Sequence, residues 1–130
     1  MGRSDFNRLQ SRARRRRWYE GCDSVVYCAF DLLAHDGKSL IGCALEHRKA
    51  TLKTLLDPMP TAVMYVGHFG GEHGATLYSQ AVALKLEGLV AKRLGSKYIP
   101  GERSADWVKC KVPRAVPPER FAKPWRELPG

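Results

Sequence analysis

No apolar run in this 130-residue chain approaches the roughly 18–20 residues that a membrane helix requires; the longest candidate, "TAVMYVGHFGG", is far shorter. Met1 leads into charge rather than into the apolar core of a signal segment. Cysteine is scarce as well. The four residues Cys22, Cys28, Cys43 and Cys110 lack paired metal-ligand spacing, and nothing marks an oxidising compartment, so neither a zinc site nor a disulfide frame is supported. His35, His47, His68 and His73 are scattered over turn-like and helix-like segments and read as surface or structural residues rather than a metal cluster. No internal repeat is visible. These absences point to an intracellular, cytoplasmic protein with reduced thiols and no membrane partner.

Acidic residues are also few, 13 against 22 Lys and Arg, for a net charge of +9. The excess is uneven: residues 1–20 hold seven Arg against Asp5 and Glu20, a balance of +5. The stretch "RLQSRARRRRW" is either an electrostatic footprint for a nucleic-acid backbone or the solvated face of a basic helix. Charge alone does not separate these readings. A hydrophobic content of 44% is ordinary for one globular domain with one core.

Ser4 is placed to cap a helix from Asp5 to about Arg17, with Phe6, Leu9 and Ala13 on one side. "SVVYCAFDLLA" has the β-branched and aromatic content of a strand, and the Asp-Gly of "HDGKSLIG" signals a hairpin. In "CALEHRKATLKTLLD" the spacing of Leu45, Arg48, Lys49, Leu52, Leu55 and Leu56 predicts an amphipathic helix, an apolar stripe beside a basic face, ended by Asp57-Pro58. "AVMYVGHF" reads as a strand and "ATLYSQAVALK" as a helix. Two further strand-like runs follow, Gly88 to Arg93 and Trp107 to Val112. Five of the eight prolines lie beyond Val112. The expected organisation is a basic helical segment at 1–21, a folded unit at 22–112 and a proline-rich basic tail at 113–130.

The last two strands carry charge where a core would want apolar side chains. Alternation puts Lys109 and Lys111 on one side with Trp107, and Cys110 opposite. Two ammonium groups about 7 Å apart repel unless an anion bridges them, and a phosphate is a natural bridge; the plain alternative is an edge strand protected by lysines. Glu87 stands beside Gly88, which permits close backbone approach, and a carboxylate among phosphates can hold a divalent metal. Glu87 and Lys92 are five positions apart, so their joint use requires Glu87 to sit just outside the regular strand. In "KYIPGERSADW", Pro100-Gly101 forces a bend that can aim Arg103 back over the strand pair, and Ser104 can cap a short turn through Trp107.

"EGLVAKR" followed by "SKYIPGERSADWVKCK" resembles the C-terminal half of the adenylation domain of ATP-dependent DNA ligases, in particular those of bacterial end-joining ligases. "YCAFDLLAHDGKSLIGCALEHRKATLKTLL" and "GRSDFNRLQSR" fit the same family in the same order, so the resemblance covers about Gly2 to Lys111. It implies an α+β unit, a mainly antiparallel curved sheet with flanking helices forming part of an ATP-grasp-like nucleotidyltransferase domain. By position, it implies that Phe30 stacks on adenine, that Glu87 serves metal and catalytic electrostatics, and that Arg103 contacts the nucleotide. Lys109 and Lys111 fall on the lysine pair that contacts its phosphates, with catalytic as well as binding roles, and Lys92 belongs to the same strand motif. Taken alone, Phe30 reads equally as an ordinary core aromatic. The implied cofactors are ATP and a divalent metal, Mg²⁺; the implied partner is nicked or broken duplex DNA, with a nucleoid location in a bacterium.

The family's chemistry begins when a lysine in a KxDG motif attacks the α-phosphate of ATP, forming lysyl-AMP and releasing pyrophosphate. The 130 residues hold no KxDG. "AHDG" has Ala34 in the lysine's place, and "KLEG" puts Lys85 before a Glu-Gly that belongs to the downstream strand, which makes Lys85 a decoy. The expectation is a ligase fragment that lacks the first half of its domain and the OB-fold, and that is not competent for self-adenylation alone. It would act with a complementing half, self-associate through its open sheet surface, or serve as a non-catalytic nucleic-acid- or partner-binding module.

Overall fold

The computed structural model describes residues 5–115. The expected cap Ser4 and most of the proline-rich tail lie outside the described residues. Helix α1, Phe6–Arg14, is capped instead by Asp5, whose side chain accepts a hydrogen bond from the Arg8 N–H at 3.0 Å. It stops short of Arg17 because Arg15 takes an extended backbone, with Arg12 Nη1 donating to the Arg15 carbonyl at 3.3 Å. Arg12 and Arg15 turn instead over the Tyr19 ring, 5.6 and 4.8 Å from its centroid. An ion pair joins Arg8 to Asp23. No α1 residue is buried, and Phe6 and Leu9 stay about half exposed.

Strand β1, Tyr27–Ala29, pairs in parallel with β4, Val63–Tyr65, in the register Tyr27↔Val63 through Ala29↔Tyr65. Parallel pairing demands a crossover. The intervening chain supplies it as the hairpin β2, Ala34–His35, with β3, Lys38–Ser39, followed by helix α2, Leu45–Leu55. Asp36 and Gly37 take φ of 47° and 70°, the left-handed pair that the Asp-Gly signal predicts for a two-residue hairpin turn.

The buried face of α2 differs from the sequence expectation. Leu45, Arg48, Lys49 and Leu52 are buried, whereas Leu55 is 47% exposed. Two cations therefore sit on the inner face, not on a solvated basic face. Helix α3, Gly74–Ala83, follows a 3-10 turn at Gly71–His73 and contributes buried Ala81. It ends with Lys85 at φ 55°: the Lys85 N–H donates to the Val82 carbonyl at 3.0 Å and Leu86 N–H to Ala81 at 2.9 Å. That paired arrangement closes the helix C-terminus, so Lys85 serves as a left-handed cap residue.

Strands β5, Gly88–Lys92, and β6, Trp107–Lys111, form an antiparallel ladder, with Lys92 opposite Trp107, Val90 opposite Lys109 and Gly88 opposite Lys111. The described strands thus form three two-stranded ladders, two antiparallel and one parallel. Burial is correspondingly sparse. Leu45, Leu52 and Ala81 are the fully buried apolar residues among those described, each leucine contributing roughly 1.5–3 kcal/mol, while Tyr27, Met64 and Leu94 stay exposed. An ordinary hydrophobic content has not produced an ordinary core. No helix among the described residues is long and apolar enough to cross a membrane.

Candidate functional site

Gly88 fixes where the site begins. Its φ is 146°, and a Cβ added there would meet the Cys110 carbonyl oxygen at a distance incompatible with any side chain, because β6 crosses so closely. Glu87 lies just outside β5, exposed, and its carbonyl accepts from Val112 N–H at 2.9 Å, which extends the ladder by one bond. Glu87 thus precedes the regular strand, next to the unusual dihedral of Gly88.

Directly opposite residues of an antiparallel pair share a face. Lys92, Val90 and Gly88 therefore face the same way as Trp107, Lys109 and Lys111. Lys92 Nζ lies 3.8 Å from the Trp107 ring centroid and 4.7 Å from that of Phe30, which brings the end of β1 to this same face. Phe30 is 50% exposed and so is not a core aromatic among the described residues. Tyr98 meets Trp107 edge to face at 5.9 Å between centroids. Lys109 and Lys111 are exposed with Cys110 turned inward between them, as alternation predicts.

The loop joining the strands is closed at its base by Arg93, whose N–H donates to the Asp106 carbonyl at 2.8 Å and whose Nε meets Asp106 Oδ1 at 3.1 Å. Ser104 accepts from Asp106 N–H at 3.1 Å through Oγ and from Trp107 N–H at 3.3 Å through its carbonyl, the short turn its position predicts. Arg103 is exposed on this loop and makes no hydrogen bond or ion pair among the described residues. The structure thus gathers Phe30, Lys92, Lys109 and Lys111 around one face, with Glu87 at its edge. Arg103 stands apart on the loop.

Beneath this face lies a network that the sequence did not announce. Arg48, fully buried, donates to Asp31 twice, Nε to Oδ1 at 2.9 Å and Nη2 to Oδ2 at 3.1 Å, and through Nη1 to the carbonyls of Cys43 at 2.8 Å and Ser96 at 3.1 Å. Burial works to raise the Asp31 carboxyl, but the Arg48 hydrogen bonds, the Leu32 N–H and the nearby positive charges outweigh it and hold the group below its ordinary value. Lys49 Nζ donates to the carbonyls of Val66 at 2.7 Å and Phe30 at 3.3 Å. Burial pulls Lys49 down, with Asp31 opposing. Burial also lowers Lys92; Asp31 opposes it, while Lys49 and Arg48 add to it. The missed signal was the helical spacing of Arg48 and Lys49 with Leu45 and Leu52, which placed both cations on the stripe that packs inward.

The groove between His35, His47, Thr51 and Leu55 lies along the exposed side of α2 and holds none of the predicted site residues. It is apolar and shallow, without a convergent set of charges.

Residues 2–111 match the family model described as the ATP dependent DNA ligase domain. The chain belongs to this ligase-domain family. A multifunctional non-homologous end joining protein, LigD, of Pseudomonas aeruginosa is 37% identical over 110 residues, covering 85% of this chain and 12% of the relative. DNA ligase 4 of Kluyveromyces lactis is 39% identical over 89 residues, 66% of this chain and 10% of the relative. The SPbeta prophage-derived DNA ligase-like protein LigB of Bacillus subtilis is 31% identical over 108 residues, 83% of this chain and 38% of the relative. The chain therefore spans a small part of the ligases it matches. No solved structure matches it significantly. Membership accounts for the mixed helix and small-sheet architecture.

Proposed function

We propose that this ligase-domain chain holds the adenine nucleotide through the β5–β6 face and does not itself supply the nucleophile that becomes adenylylated. The observation that carries the reading is the half-exposed Phe30 ring beside Lys92, on the face whose cross-strand neighbours are Lys109 and Lys111. Adenine stacks on the open side of Phe30, and the triphosphate runs toward Lys109 and Lys111, whose ammonium groups neutralise it. Arg103 closes on the nucleotide from its loop when phosphate charge draws the guanidinium in. Lys92 steadies the boundary between base and phosphates.

Among the described residues, no three His, Cys, Asp or Glu side chains converge on a metal position. Mg²⁺ suits such a place, since it commonly takes one or two carboxylates together with phosphate oxygens and water. Glu87 would hold it, and the ion would supply charge neutralisation at the phosphates. The exposed arginines after α1 suit the phosphate backbone of nicked or broken duplex DNA, with strong salt dependence. In this reading the chain forms one wall of an ATP-grasp-like domain whose mainly antiparallel sheet is completed by a further ligase half. That half also covers the exposed apolar strands. The same surfaces would otherwise promote self-association.

The test is twofold. Incubation with labelled ATP and Mg²⁺ should yield nucleotide binding without a lysyl-AMP adduct. An adduct formed by this chain alone would contradict the reading, since it requires a lysine the account excludes. DNA binding of strong salt dependence without specific ATP affinity would favour a purely nucleic-acid-binding module.

A further inference from the structure

We infer that Arg48 is the positioning residue of the proposed nucleotide site: its guanidinium ties the Phe30 end of β1 to the loop that leaves Lys92, and so fixes the aromatic ring and the ammonium group relative to each other. The inference rests on the nucleotide reading above. Asp31, held by two of the four hydrogen bonds, directly follows Phe30 in the chain. Ser96, held by another, lies four residues beyond Lys92, and Cys43 stands just before α2. A single side chain thus joins three segments. Glu46, two residues earlier on α2, grips the same loop from outside by accepting from Gly95 N–H at 2.9 and 2.8 Å. Tyr98 N–H adds a bond to the Ile41 carbonyl at 2.9 Å.

Arginine is required at this point by geometry rather than by charge. A buried ion pair is often no more stabilising than a well-packed apolar substitute, so net stability does not explain a guanidinium here. Its planar fork, however, sets the angles of carboxylate and carbonyl partners at once, which the single ammonium of lysine cannot reproduce. With Asp31 and Ser96 both held, the separation between the Phe30 ring and Lys92 Nζ is left little freedom, and the open side of Phe30 stays at a fixed distance from the β5–β6 lysines. A loosened fork would let ring and ammonium drift apart without unfolding the chain. Supporting groups of this kind typically change affinity or activity by about 10–100-fold when altered.

The experiment uses the whole chain with Arg48→Lys, compared with Leu52→Ala as a core substitution on the same helix. Far-UV circular dichroism and melting establish that each is folded. Two readouts follow: the upfield displacement of the Lys92 ε-methylene protons by the Phe30 and Trp107 rings, and the dissociation constant for MgATP. The inference expects R48K to lose at least about half of that displacement and to weaken MgATP about tenfold, while L52A lowers the melting temperature but keeps both. Retention of the displacement in R48K overturns the inference, as does its loss with unchanged affinity. If R48K does not fold, Asp31→Asn, which turns one of the two acceptor oxygens into an N–H donor and so breaks the two-point fork, is held to the same two outcomes. Failure of the wild-type chain to bind MgATP overturns the nucleotide reading and the site role of Arg48 with it, whereas a retained displacement beside normal wild-type binding defeats the inference alone.

Discussion

Lys92 Nζ stands 3.8 Å from the centroid of the Trp107 ring, its direct cross-strand partner in the β5–β6 ladder. A cation over an indole gains about 0.5–2 kcal/mol, more as it is desolvated. Trp107 also meets Tyr98 edge to face. Trp107→Leu should therefore cost about 1–2 kcal/mol in urea unfolding, beyond what the lost area alone explains. The same substitution in a Lys92→Met background should cost less, because the cation is already gone. Equal costs in the two backgrounds would show that the pair is not coupled.

Gly88→Ala tests the close crossing of β5 and β6. The left-handed φ of 146° and the clash with the Cys110 carbonyl act together. A loss of roughly 3 kcal/mol is expected. Gly95→Ala, where φ is 71° but the added Cβ meets nothing within 4 Å, should cost markedly less. Similar losses at the two glycines would assign the effect to backbone freedom rather than to strand approach.

The Asp31–Arg48 pair predicts a particular acid limb. The carboxyl is depressed in the folded chain, so the unfolded state takes up the proton first as pH falls. Its contribution is fully present above the ordinary carboxylate value of about 4 and is lost as pH drops through the lower folded value. Melting temperatures from neutral pH downward should hold until about pH 4 and then fall, with a shallower fall in Asp31→Asn. Superimposable acid limbs would remove the pair from the account of stability.

Much of this architecture was written locally. Asp36-Gly37 announces its own hairpin, because few sequences tolerate two consecutive left-handed residues. The alternation of Trp107, Lys109 and Lys111 needs only the strand period, and Gly88 beside Glu87 marks a place where backbones approach. What escaped were features decided by distant partners. Periodicity aligns Arg48 and Lys49 with Leu45 and Leu52, but their charge reads as a solvated face, and what lets them turn inward, Asp31 and the carbonyls of Ser96, Phe30 and Val66, is distant in the chain. The parallel pairing of β1 with β4 is likewise set by how α2 crosses over, not by either strand. Helix α1 ends at Arg14 rather than Arg17, where the Arg12 guanidinium closes on the Arg15 carbonyl, a contact that the helix propensity of a run of arginines does not encode. Lys85 was set aside as a decoy on motif grounds, and the fold gives it separate employment as the α3 cap.

Isothermal titration of ATP, with and without Mg²⁺, into the native chain and into Lys109→Ala tests the central claim most directly. Lys109 is exposed on β6 opposite Val90, so its truncation would remove the charged contact proposed for the nucleotide without disturbing buried structure. A charge-assisted hydrogen bond of about 1.5–3 kcal/mol corresponds to a loss of tenfold or more in affinity. The account expects Mg²⁺-dependent binding by the native chain and a loss of at least about tenfold in Lys109→Ala; equal binding by the two chains would contradict it.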